Sequence, residues 1–444
     1  MKTKKIVKTI TCGKKFKTCI IKKKNANHNT TGRERQNINV EDASGFAQIP
    51  SCSHGPCLLF SNREGLRWFA CAVFRQSKEC KFKVGVDRSG KLWYQNTKTP
   101  RIYTRSLSDY GLARKSFEQL IAKGVQPYWC AVCADFVSAE HDEHLANVRG
   151  PFATFPAPTR LLNALQNDKG EAQYWFSWDT LSVLDAALTA GDFDAVLCVG
   201  APSLFEFLSA SPTSASRRQF LLDVDDRLSA FYDSSEFARY SMLVDYFFNG
   251  TKAREKLREF CADVRRLAVV CDPPFGVHVG ALMRSLDALG RTSLAAESSC
   301  NKSDFTSKFI VFLPLFVGKY LLRERVDFSM VDFKVTYMNH KDFVKADRSI
   351  VRIFTDMPNR NFVLPTRLGY RFCAPCERYV ANGNAHCKKC KRCTSMDGST
   401  YVHCDACGKC VKSTYAHCTT CKACHLRDRC LLKAKVQEKK FTNS

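Results

Sequence analysis

The chain has 444 residues, of which 45% are hydrophobic, and a formal net charge of +25. This length corresponds to roughly three domains, and the composition excludes a wholly disordered chain. The excess of basic residues favours a polyanionic partner such as nucleic acid over an acidic small molecule, and the 24 cysteines, which occur without a secretory signal, indicate metal-binding thiolates rather than disulfides.

The amino-terminal segment 1–45 is predicted to be a basic disordered arm. Residues 2–24 include ten lysines and no acidic residue, a pattern typical of a nuclear or nucleolar address or of a non-specific phosphate contact. A solubilising surface with basic tails is the alternative reading of this charge. No signal peptide is found, and the longest apolar run, 309–317, is too short to span a bilayer. We therefore expect a soluble protein of the nucleus, nucleolus and cytoplasm that binds no membrane.

The first cysteine-histidine cluster lies in a predicted β-rich module over 46–100. Two close ligands followed by two more some twenty to thirty residues later are typical of a four-coordinate zinc site. The predicted ligands are Cys52, His54, Cys71 and Cys80. Cys57 is interpreted as a packed thiol.

The second cluster, within 125–150, is a Cys2His2 set. Its predicted ligands are Cys130, Cys133, His141 and His144. The spacer between the two pairs is shorter than in the zinc fingers that read DNA. We therefore expect a structural zinc ion here and no DNA specificity.

The aromatic segment 173–176 comes before the first strand of the next domain. Its residues are Gln173, Tyr174, Trp175 and Phe176. Two interpretations are open: the segment closes over a bound cofactor, or its rings pack in the core.

The central stretch, 160–365, is predicted to alternate strands and helices around a parallel sheet. The candidate strands are 194–199, 220–224, 244–248, 267–271, 309–315, 333–338 and 351–355. Amphipathic stretches between them include 180–188, 227–237 and 254–261. The last two strands are close enough along the chain to pair antiparallel. This ending is typical of the Rossmann-like, seven-stranded sheet of nucleotide-type methyltransferases.

Two residues at the ends of the first strands indicate a site for a methyl-donor nucleoside. Ligands of such sheets bind at the carboxyl ends of the strands. Gly200 follows the first strand and lets the backbone turn close to a ligand. Asp223, about twenty residues later, is the type of acid that accepts hydrogen bonds from ribose hydroxyls. Asp225 is better explained as a helix N-cap ahead of Arg227.

The fourth strand ends in Asp272-Pro273-Pro274-Phe275. In isolation this tetrapeptide would be a turn that ends a strand. After a glycine turn and a ribose-type acid, it indicates a site that holds an exocyclic amine. The carboxylate and a proline carbonyl would accept the two N–H bonds, and Phe275 would stack on a base that is unpaired or flipped out. These four residues are the predicted catalytic set; because the transfer needs orientation and no metal, the zinc ions are expected to be structural.

Region 370–430 is an internal repeat of cysteine and histidine. Three copies of His-Cys-x2-Cys-x2-Cys follow an initial Cys-x2-Cys. Each copy can complete one site with its histidine and last cysteine and begin the next with its first two cysteines. The resulting sites are Cys373/Cys376/His386/Cys393, Cys387/Cys390/His403/Cys410 and Cys404/Cys407/His417/Cys424. Cys418, Cys421 and Cys430 can form a fourth with His425; the total prediction is five or six zinc ions, followed by a disordered basic tail over 431–444.

Taken together, these motifs make the chain similar to the zinc-finger (CCHC-domain-containing) N6-adenosine methyltransferases of large-subunit ribosomal RNA over nearly its whole length. The matching segments are 52–56, 69–71 and Cys80 of a GRF-type finger, the Cys2His2 pair, 172–176, 196–202, 221–225, 272–276, and 369–373 with the ribbon that follows. In two respects the chain departs from the family. No CCHC knuckle follows Cys430, and Ser203 and Ser241 stand where arginine and asparagine are usual.

The resemblance implies S-adenosyl-L-methionine as the donor and an adenosine of 28S-type large-subunit rRNA as the acceptor. The implied donor contacts are Gln173, Tyr174, Trp175, Phe176, Asp223, Ser241, Met242 and Asp272, beside the glycine turn at Gly200. It also implies that the zinc modules pack on the catalytic domain and offer a basic RNA surface. Ribosome-assembly factors are further candidate partners.

Parts of the sequence are also compatible with three other functions. A non-catalytic, zinc-rich RNA-binding or ribosome-assembly protein with a decayed methyltransferase fold is the main alternative, against which the intact Asp-Pro-Pro-Phe motif argues. Methylation of a protein amide is disfavoured by the basic charge and the zinc modules. The ribbon also looks like the cysteine-rich domain of DHHC acyltransferases, but the membrane helices and the Asp-His-His-Cys nucleophile of that class are absent from the sequence.

Overall fold

The computed structural model describes residues 38–73, 80–94, 106–139, 141–165, 173–211, 217–292, 305–427 and 429–430. Most of the predicted arm and the whole predicted tail lie outside these residues. Within them the cysteines are free thiols, as metal-binding cysteines should be. Among the same residues, no helix is both long and apolar enough to cross a membrane.

The first module is an antiparallel sheet. Its strands are β1 (Asn39–Glu41), β2 (Ser51–Cys52), β3 (Gly55–Ser61), β4 (Arg67–Cys71), β5 (Lys83–Val86) and β6 (Leu92–Tyr94). Strand β1 pairs with β3, so ordered structure begins inside the range 1–45 that was predicted to be disordered. The strand is held because Val40 packs against the core of the central sheet and Glu41 forms an ion pair with Arg67 at 2.9 Å.

The second module joins a helix to a small sheet. Its elements are α1 (Leu112–Ala122), β7 (Tyr128–Cys130), β8 (Asp135–Val137), β9 (Val148–Arg149) and α2 (Pro158–Leu161). Trp129 is almost fully buried and its ring lies 5.1 Å from that of Phe231 in the central domain. The module is therefore anchored by aromatic packing.

The central domain is an eight-stranded sheet with helices on both faces. Its elements in chain order are α3 (Trp178–Ala190), β10 (Ala195–Val199), α4 (Pro202–Ala210), β11 (Arg218–Asp223), β12 (Phe237–Ser241), β13 (Tyr246–Phe247), α5 (Gly250–Cys261), β14 (Arg266–Cys271), α6 (Val279–Thr292), β15 (Thr306–Pro314), α7 (Leu315–Glu324), β16 (Ser329–Val331) and β17 (Val351–Thr355). The strand order is β13-β12-β11-β10-β14-β15-β17-β16. Strands β10, β11, β12, β14 and β15 are parallel, and β17 is antiparallel between β15 and β16. This confirms the predicted fold class, with β13 as an additional short strand at one edge.

The sheet separates two hydrophobic cores. Alternate residues of each strand face opposite sides, so Val196 and Cys198 belong to one core while Leu197 and Val199 belong to the other. The first core also contains residues of α3, α4 and the second module. The other contains residues of α5, α6, α7 and the first module. One zinc-type module therefore packs against each face of the sheet.

Two predicted strands were misplaced. The third parallel strand is β12, not 244–248, and the predicted helix 227–237 is reduced to a 3-10 helix at Asp226–Ala230. Arg239 interrupts the apolar pattern of β12, so the more apolar range 244–248 gave the stronger sequence signal for a strand. In the structure the Arg239 guanidinium stacks on Phe248 at 4.0 Å. The range 333–338 forms no ladder beyond one bridge from Tyr337 to Phe176; the strand that pairs with β17 is β16.

The ribbon consists of four two-stranded hairpins. Their strands are β18 (Tyr370–Cys373), β19 (Arg378–Ala381), β20 (His386–Cys387), β21 (Arg392–Cys393), β22 (Tyr401–Cys404), β23 (Lys409–Lys412), β24 (Tyr415–Cys418) and β25 (Ala423–Leu426). The first hairpin carries one pair of cysteines, and each of the three later hairpins carries a cysteine pair together with a histidine and a cysteine of the preceding site, so the repeat of the sequence is also a repeat of structure.

Candidate active site and metal sites

The predicted donor-site residues lie together at the carboxyl ends of four parallel strands, and we call this side of the sheet its edge. Gly200 follows β10 with φ +65°, a conformation that disfavours any side chain. A Cβ at this position would lie 2.6 Å from the Cε of Met242 and 3.0 Å from the carbonyl oxygen of Asp272. Gly200, Met242 and Asp272 are therefore neighbours, and glycine is required by both backbone and space.

Asp223 ends β11 beside them and is only 6% exposed. Its Oδ1 accepts a hydrogen bond from the backbone N–H of Asp225 at 2.9 Å. Burial, and then the negative charge of Asp225, raise the pKa of Asp223 to about 7. The carboxylate is thus held at this edge of the sheet, and its other oxygen is available. This is the position at which a residue that accepts hydrogen bonds from ribose hydroxyls was predicted.

Binding of S-adenosylmethionine should weaken as the pH falls through about 7, where Asp223 takes up a proton. The ionised carboxylate can accept hydrogen bonds from both ribose hydroxyls, whereas the protonated acid must use one oxygen as a donor. Calorimetric titrations at several pH values check this. Asp223→Asn should weaken binding and flatten the pH dependence; an unchanged slope in that variant would contradict the assignment.

Asp225 caps the 3-10 helix Asp226–Ala230 by accepting from the backbone N–H of Arg227, which confirms its predicted capping role. It also binds the Arg227 guanidinium at 2.6 Å and the Nε2 of Gln173 at 2.8 Å. The Oε1 of Gln173 accepts from Arg227 and from the backbone N–H of Leu165. The side chain of Gln173 therefore ties its segment to the loop after β11.

Asp272 follows β14, and its backbone N–H donates to the carbonyl of Val199 at 3.0 Å. Its Oδ1 accepts from the phenol of Tyr337 at 3.1 Å. Burial raises the pKa of Asp272 well above its usual value, and the negative charge of Asp223 adds to this effect. The carbonyl of Pro274 accepts from the backbone N–H of Val277 at 2.9 Å, so the carbonyl of Pro273 is the acceptor left for a substrate N–H.

Phe275 lies in a cluster of rings. Its ring stacks on that of Tyr174, with centroids 5.5 Å apart and planes 20° apart. The other rings in contact with it are those of Tyr337, His340 and Phe343. Sequence reasoning did not single out these last three residues. The alternation over 333–338 could have marked Tyr337 as inward-facing, but its contact with Asp272 depends on the tertiary fold.

The aromatic segment 173–176 divides between site and core. Tyr174 faces Phe275, whereas Phe176 is fully buried and its ring lies 4.6 Å from that of Phe312. Trp175 is 7% exposed, and its backbone N–H donates to Asn339 at 2.8 Å. The core-packing interpretation therefore holds for Phe176, while closure over a cofactor stays a prediction, with Tyr174 placed at the site.

The two serines at the positions of departure from the family are both buried. Ser203 accepts from the backbone N–H of Phe176 at 3.1 Å, so it fastens the aromatic segment to α4. Ser241 is 4% exposed at the end of β12. Ser203 thus has a structural role that the sequence did not indicate.

The five complete ligand sets predicted from the sequence each converge in space. Their ligand atoms lie within 4.8 Å of one another in the groups Cys52/His54/Cys71/Cys80, Cys130/Cys133/His141/His144, Cys373/Cys376/His386/Cys393, Cys387/Cys390/His403/Cys410 and Cys404/Cys407/His417/Cys424. A tetrahedral zinc ion places sulfur and nitrogen ligands about 3.6 Å apart and two sulfurs about 3.8 Å apart. The distances from the Sγ of Cys373 to the Nδ1 of His386, 3.6 Å, and between the Sγ atoms of Cys390 and Cys410, 3.7 Å, fit these edges.

The end of the ribbon repeats the same geometry. Lys391 and Lys422 have the same positive φ, 52°, and follow Cys390 and Cys421, so the turns after both cysteine pairs match. Cys418, Cys421, His425 and Cys430 lie close enough to shift one another's pKa values, and the Nε2 of His425 is buried without a hydrogen-bond partner among the described residues. We propose that these four residues form the sixth zinc site, with His425 completing the three cysteines identified from the sequence.

Native mass spectrometry of the full chain should therefore detect six zinc ions. Cys418→Ser should remove one ion and leave five. A loss of more than one ion would contradict independent closure of the last site, and a count of five in the unaltered chain would contradict the sixth site.

Comparisons with known proteins agree with this geometry. Residues 167–349 match a family model described as "Probable N6-adenine methyltransferase". The chain is 34% identical to the rRNA N(6)-adenosine-methyltransferase ZCCHC4 of Mus musculus over 382 residues, which cover 80% of this chain and 73% of that protein. It is 34% identical to the protein of the same name of Xenopus laevis, over 76% of this chain and 72% of that protein. It is 32% identical to the protein of the same name of Homo sapiens, over 76% of this chain and 70% of that protein. The chain belongs to the ZCCHC4 family of rRNA N(6)-adenosine-methyltransferases.

Proposed function

We propose that this protein transfers a methyl group from S-adenosylmethionine to the N6 amine of an adenosine in large-subunit rRNA. The observation that carries the proposal is the meeting of Gly200, Asp223, Met242 and the Asp272 motif at one edge of the sheet. The names of the relatives, rRNA N(6)-adenosine-methyltransferases, support the acceptor. The proposed specificity for large-subunit rRNA rests on the resemblance of the sequence to methyltransferases of that rRNA.

The residues present fit the donor. Asp223 offers a carboxylate oxygen to ribose hydroxyls, and Gly200 allows the tight turn that brings the backbone of Asp272 close to the end of β10. Met242 lies against Gly200 and lines the same edge with an apolar surface. When bound, S-adenosylmethionine supplies a methyl group on a positively charged sulfur, which is a strong electrophile.

The acceptor amine is held by Asp272 and Pro273. The free Oδ2 of Asp272 and the carbonyl of Pro273 each accept one N–H of the amine, which turns the nitrogen lone pair towards the methyl group. Phe275 supplies a flat ring face for the base. After the N–C bond forms and the C–S bond breaks, N6 carries an extra proton. Because burial raises the pKa of Asp272, its carboxylate is suited to accept that proton.

The first module lies close to this site. The ring of Phe60 on β3 contacts that of His278 at 5.5 Å, and His278 follows Phe275 by three residues. Phe60 also stacks on Trp68, over which the ammonium group of Lys83 lies at 4.7 Å. Rings and cations on one surface are suited to single-stranded RNA, so this module offers a path for RNA towards the catalytic motif.

The test uses the full chain, labelled S-adenosylmethionine and total rRNA from cells that lack the protein. Label should appear as N6-methyladenosine in the large-subunit rRNA, and Asp272→Ala should not incorporate it. Label in small-subunit rRNA only would contradict the specificity. No label above that of Asp272→Ala would favour a non-catalytic RNA-binding protein.

A further inference from the structure

Tyr337 is fully buried, yet its polar end points into the candidate active site. Its hydroxyl donates to the Oδ1 of Asp272 at 3.1 Å. Its backbone N–H donates to the carbonyl of Phe343 at 3.1 Å, and its ring stacks on that of Phe176 with centroids 5.3 Å apart. The side chain is thus fixed at both ends, and a buried phenol requires such a partner.

The hydrogen bond distinguishes the two oxygens of Asp272. Since Oδ1 is occupied by the phenol, Oδ2 is the oxygen that can accept from a substrate amine. Asp272 as a whole residue is partly exposed at this edge of the sheet. A fixed donor on one side of a carboxylate restricts its rotation and defines the direction in which the other oxygen accepts.

The hydrogen bond also acts on the charge of Asp272. Burial and the negative charge of Asp223 raise the pKa of Asp272, while the hydrogen bond from Tyr337 lowers it. Other titratable groups lie around this pair: Cys271 precedes Asp272 on β14, Tyr174 lies beside Tyr337, and His340 lies beside Tyr174. None of these groups is a cation at neutral pH, because burial lowers the pKa of His340. Tyr337 therefore opposes two effects that favour the protonated acid.

We propose that Tyr337 is the positioning residue of the methyl transfer: its hydroxyl orients Asp272 and favours the carboxylate form that accepts the substrate amine. The inference rests on the proposed function. A phenylalanine would fill the same space, so the hydroxyl is what distinguishes this role from core packing.

The experiment compares the full chain with Tyr337→Phe. Its methyl-transfer rate at neutral pH should fall roughly ten- to a hundredfold, the effect of losing a hydrogen bond to a charged group. Because the pKa of Asp272 rises when the phenol is lost, the acidic limb of the pH profile should move to higher pH, with partial recovery of the rate in alkali. Affinity for S-adenosylmethionine should change little.

Tyr232→Phe is the matched control. Tyr232 is 4% exposed, and its hydroxyl donates to a carboxylate oxygen of Glu206 at 3.2 Å, so this change removes a similar hydrogen bond away from the sheet edge. It should leave the pH profile in place. A profile of Tyr337→Phe that superimposes on that of the unaltered chain would overturn the inference.

Infrared difference spectra separate this inference from the proposed function. The band of the protonated Asp272 carboxyl, identified by its loss in Asp272→Asn, should persist to higher pH in Tyr337→Phe than in the unaltered chain. This titration needs no RNA substrate. If the unaltered chain methylates no rRNA, the proposed function fails while the band still decides the role of Tyr337; an unmoved band rejects that role.

Discussion

Asp272→Asn is expected to lower the methyl-transfer rate by about 10²- to 10³-fold, the scale of losing one well-placed catalytic contact. The hydroxyl of Tyr337 donates to Oδ1 of residue 272, and an asparagine would satisfy it with its amide oxygen. The NH2 group would then face the substrate amine, so two donors would oppose each other. Single-turnover rates measure the loss, and calorimetry with S-adenosylmethionine checks that the site is otherwise intact.

The same argument predicts an unusual double variant. With Tyr337→Phe in place, the amide introduced by Asp272→Asn would be free to rotate and offer its oxygen to the substrate. Asp272→Asn should then cost less than it does alone, so that the two effects are not additive. Additive losses would show that the two side chains act independently.

A matched control for Asp272→Asn is Asp356→Asn. Asp356 is also a sheet-end carboxylate whose pKa is raised by burial, but it accepts from the backbone N–H of Phe309 at 2.7 Å, near the amino end of β15. It lies at the opposite edge of the sheet from Asp272. Any loss of activity in this variant should follow its loss of stability.

Removing the first metal site of the ribbon should destabilise the catalytic sheet much more than removing the third. We expect Cys376→Ser to lower the unfolding temperature by roughly ten degrees or more, since a structural zinc ion contributes several kcal/mol to folding. Cys407→Ser should lower it by much less. Calorimetry of the zinc-loaded chain measures both, and methyl-transfer rates should follow the same order.

The reason is a buried polar seam between the first hairpin and the sheet. Asp332, which directly follows β16, accepts from the backbone N–H of Ala381 at 3.0 Å and from Asn384 at 2.8 Å. Arg378 donates to the carbonyls of Met330 and of the ligand Cys393. Removing one ligand would expose groups that were paired inside the protein, which is more costly than losing a surface contact.

Arg352 adds a second connection across the same seam. It is 1% exposed, and its guanidinium donates to the carbonyls of Val351 and Asp397. By contrast, the described hydrogen bonds of the third metal site join its own ligands, for example Cys407 to His417 and Cys424. Equal effects of Cys376→Ser and Cys407→Ser would therefore contradict a special role of the seam.

The segment from Asp332 to Tyr337 also connects this seam to the candidate active site. Asp332 binds the ribbon, and Tyr337, five residues later, binds Asp272. The segment between them is held against α3, because the backbone N–H of Thr336 donates to the hydroxyl of Thr180 at 3.1 Å. A loosened ribbon would therefore disturb Tyr337 as well as the sheet.

Local chemistry explains what could be read from the sequence. The continuous apolar strands, the turn at Gly200 and the acid at Asp223 each depend on neighbours within a few residues, and all three lie where they were expected. The three ribbon ligand sets followed from spacing alone, because cysteines and histidines of a short hairpin can reach only a few partners. For that reason each group predicted from the repeat converges in space.

Only the tertiary structure decided which groups serve the candidate catalytic motif from a distance. Tyr337 lies 65 residues beyond Asp272, in a range predicted to be a strand, and its neighbours Phe176 and Tyr174 precede the sheet altogether. The role of a buried side chain depends on the atom it meets, and a local pattern reports only that it is buried. The sequence by itself determined most of the strands, the grouping of the metal-type ligands and the position of the candidate tetrapeptide; the packing of distant segments decided which phenol meets the carboxylate and which ribbon hairpin supports it.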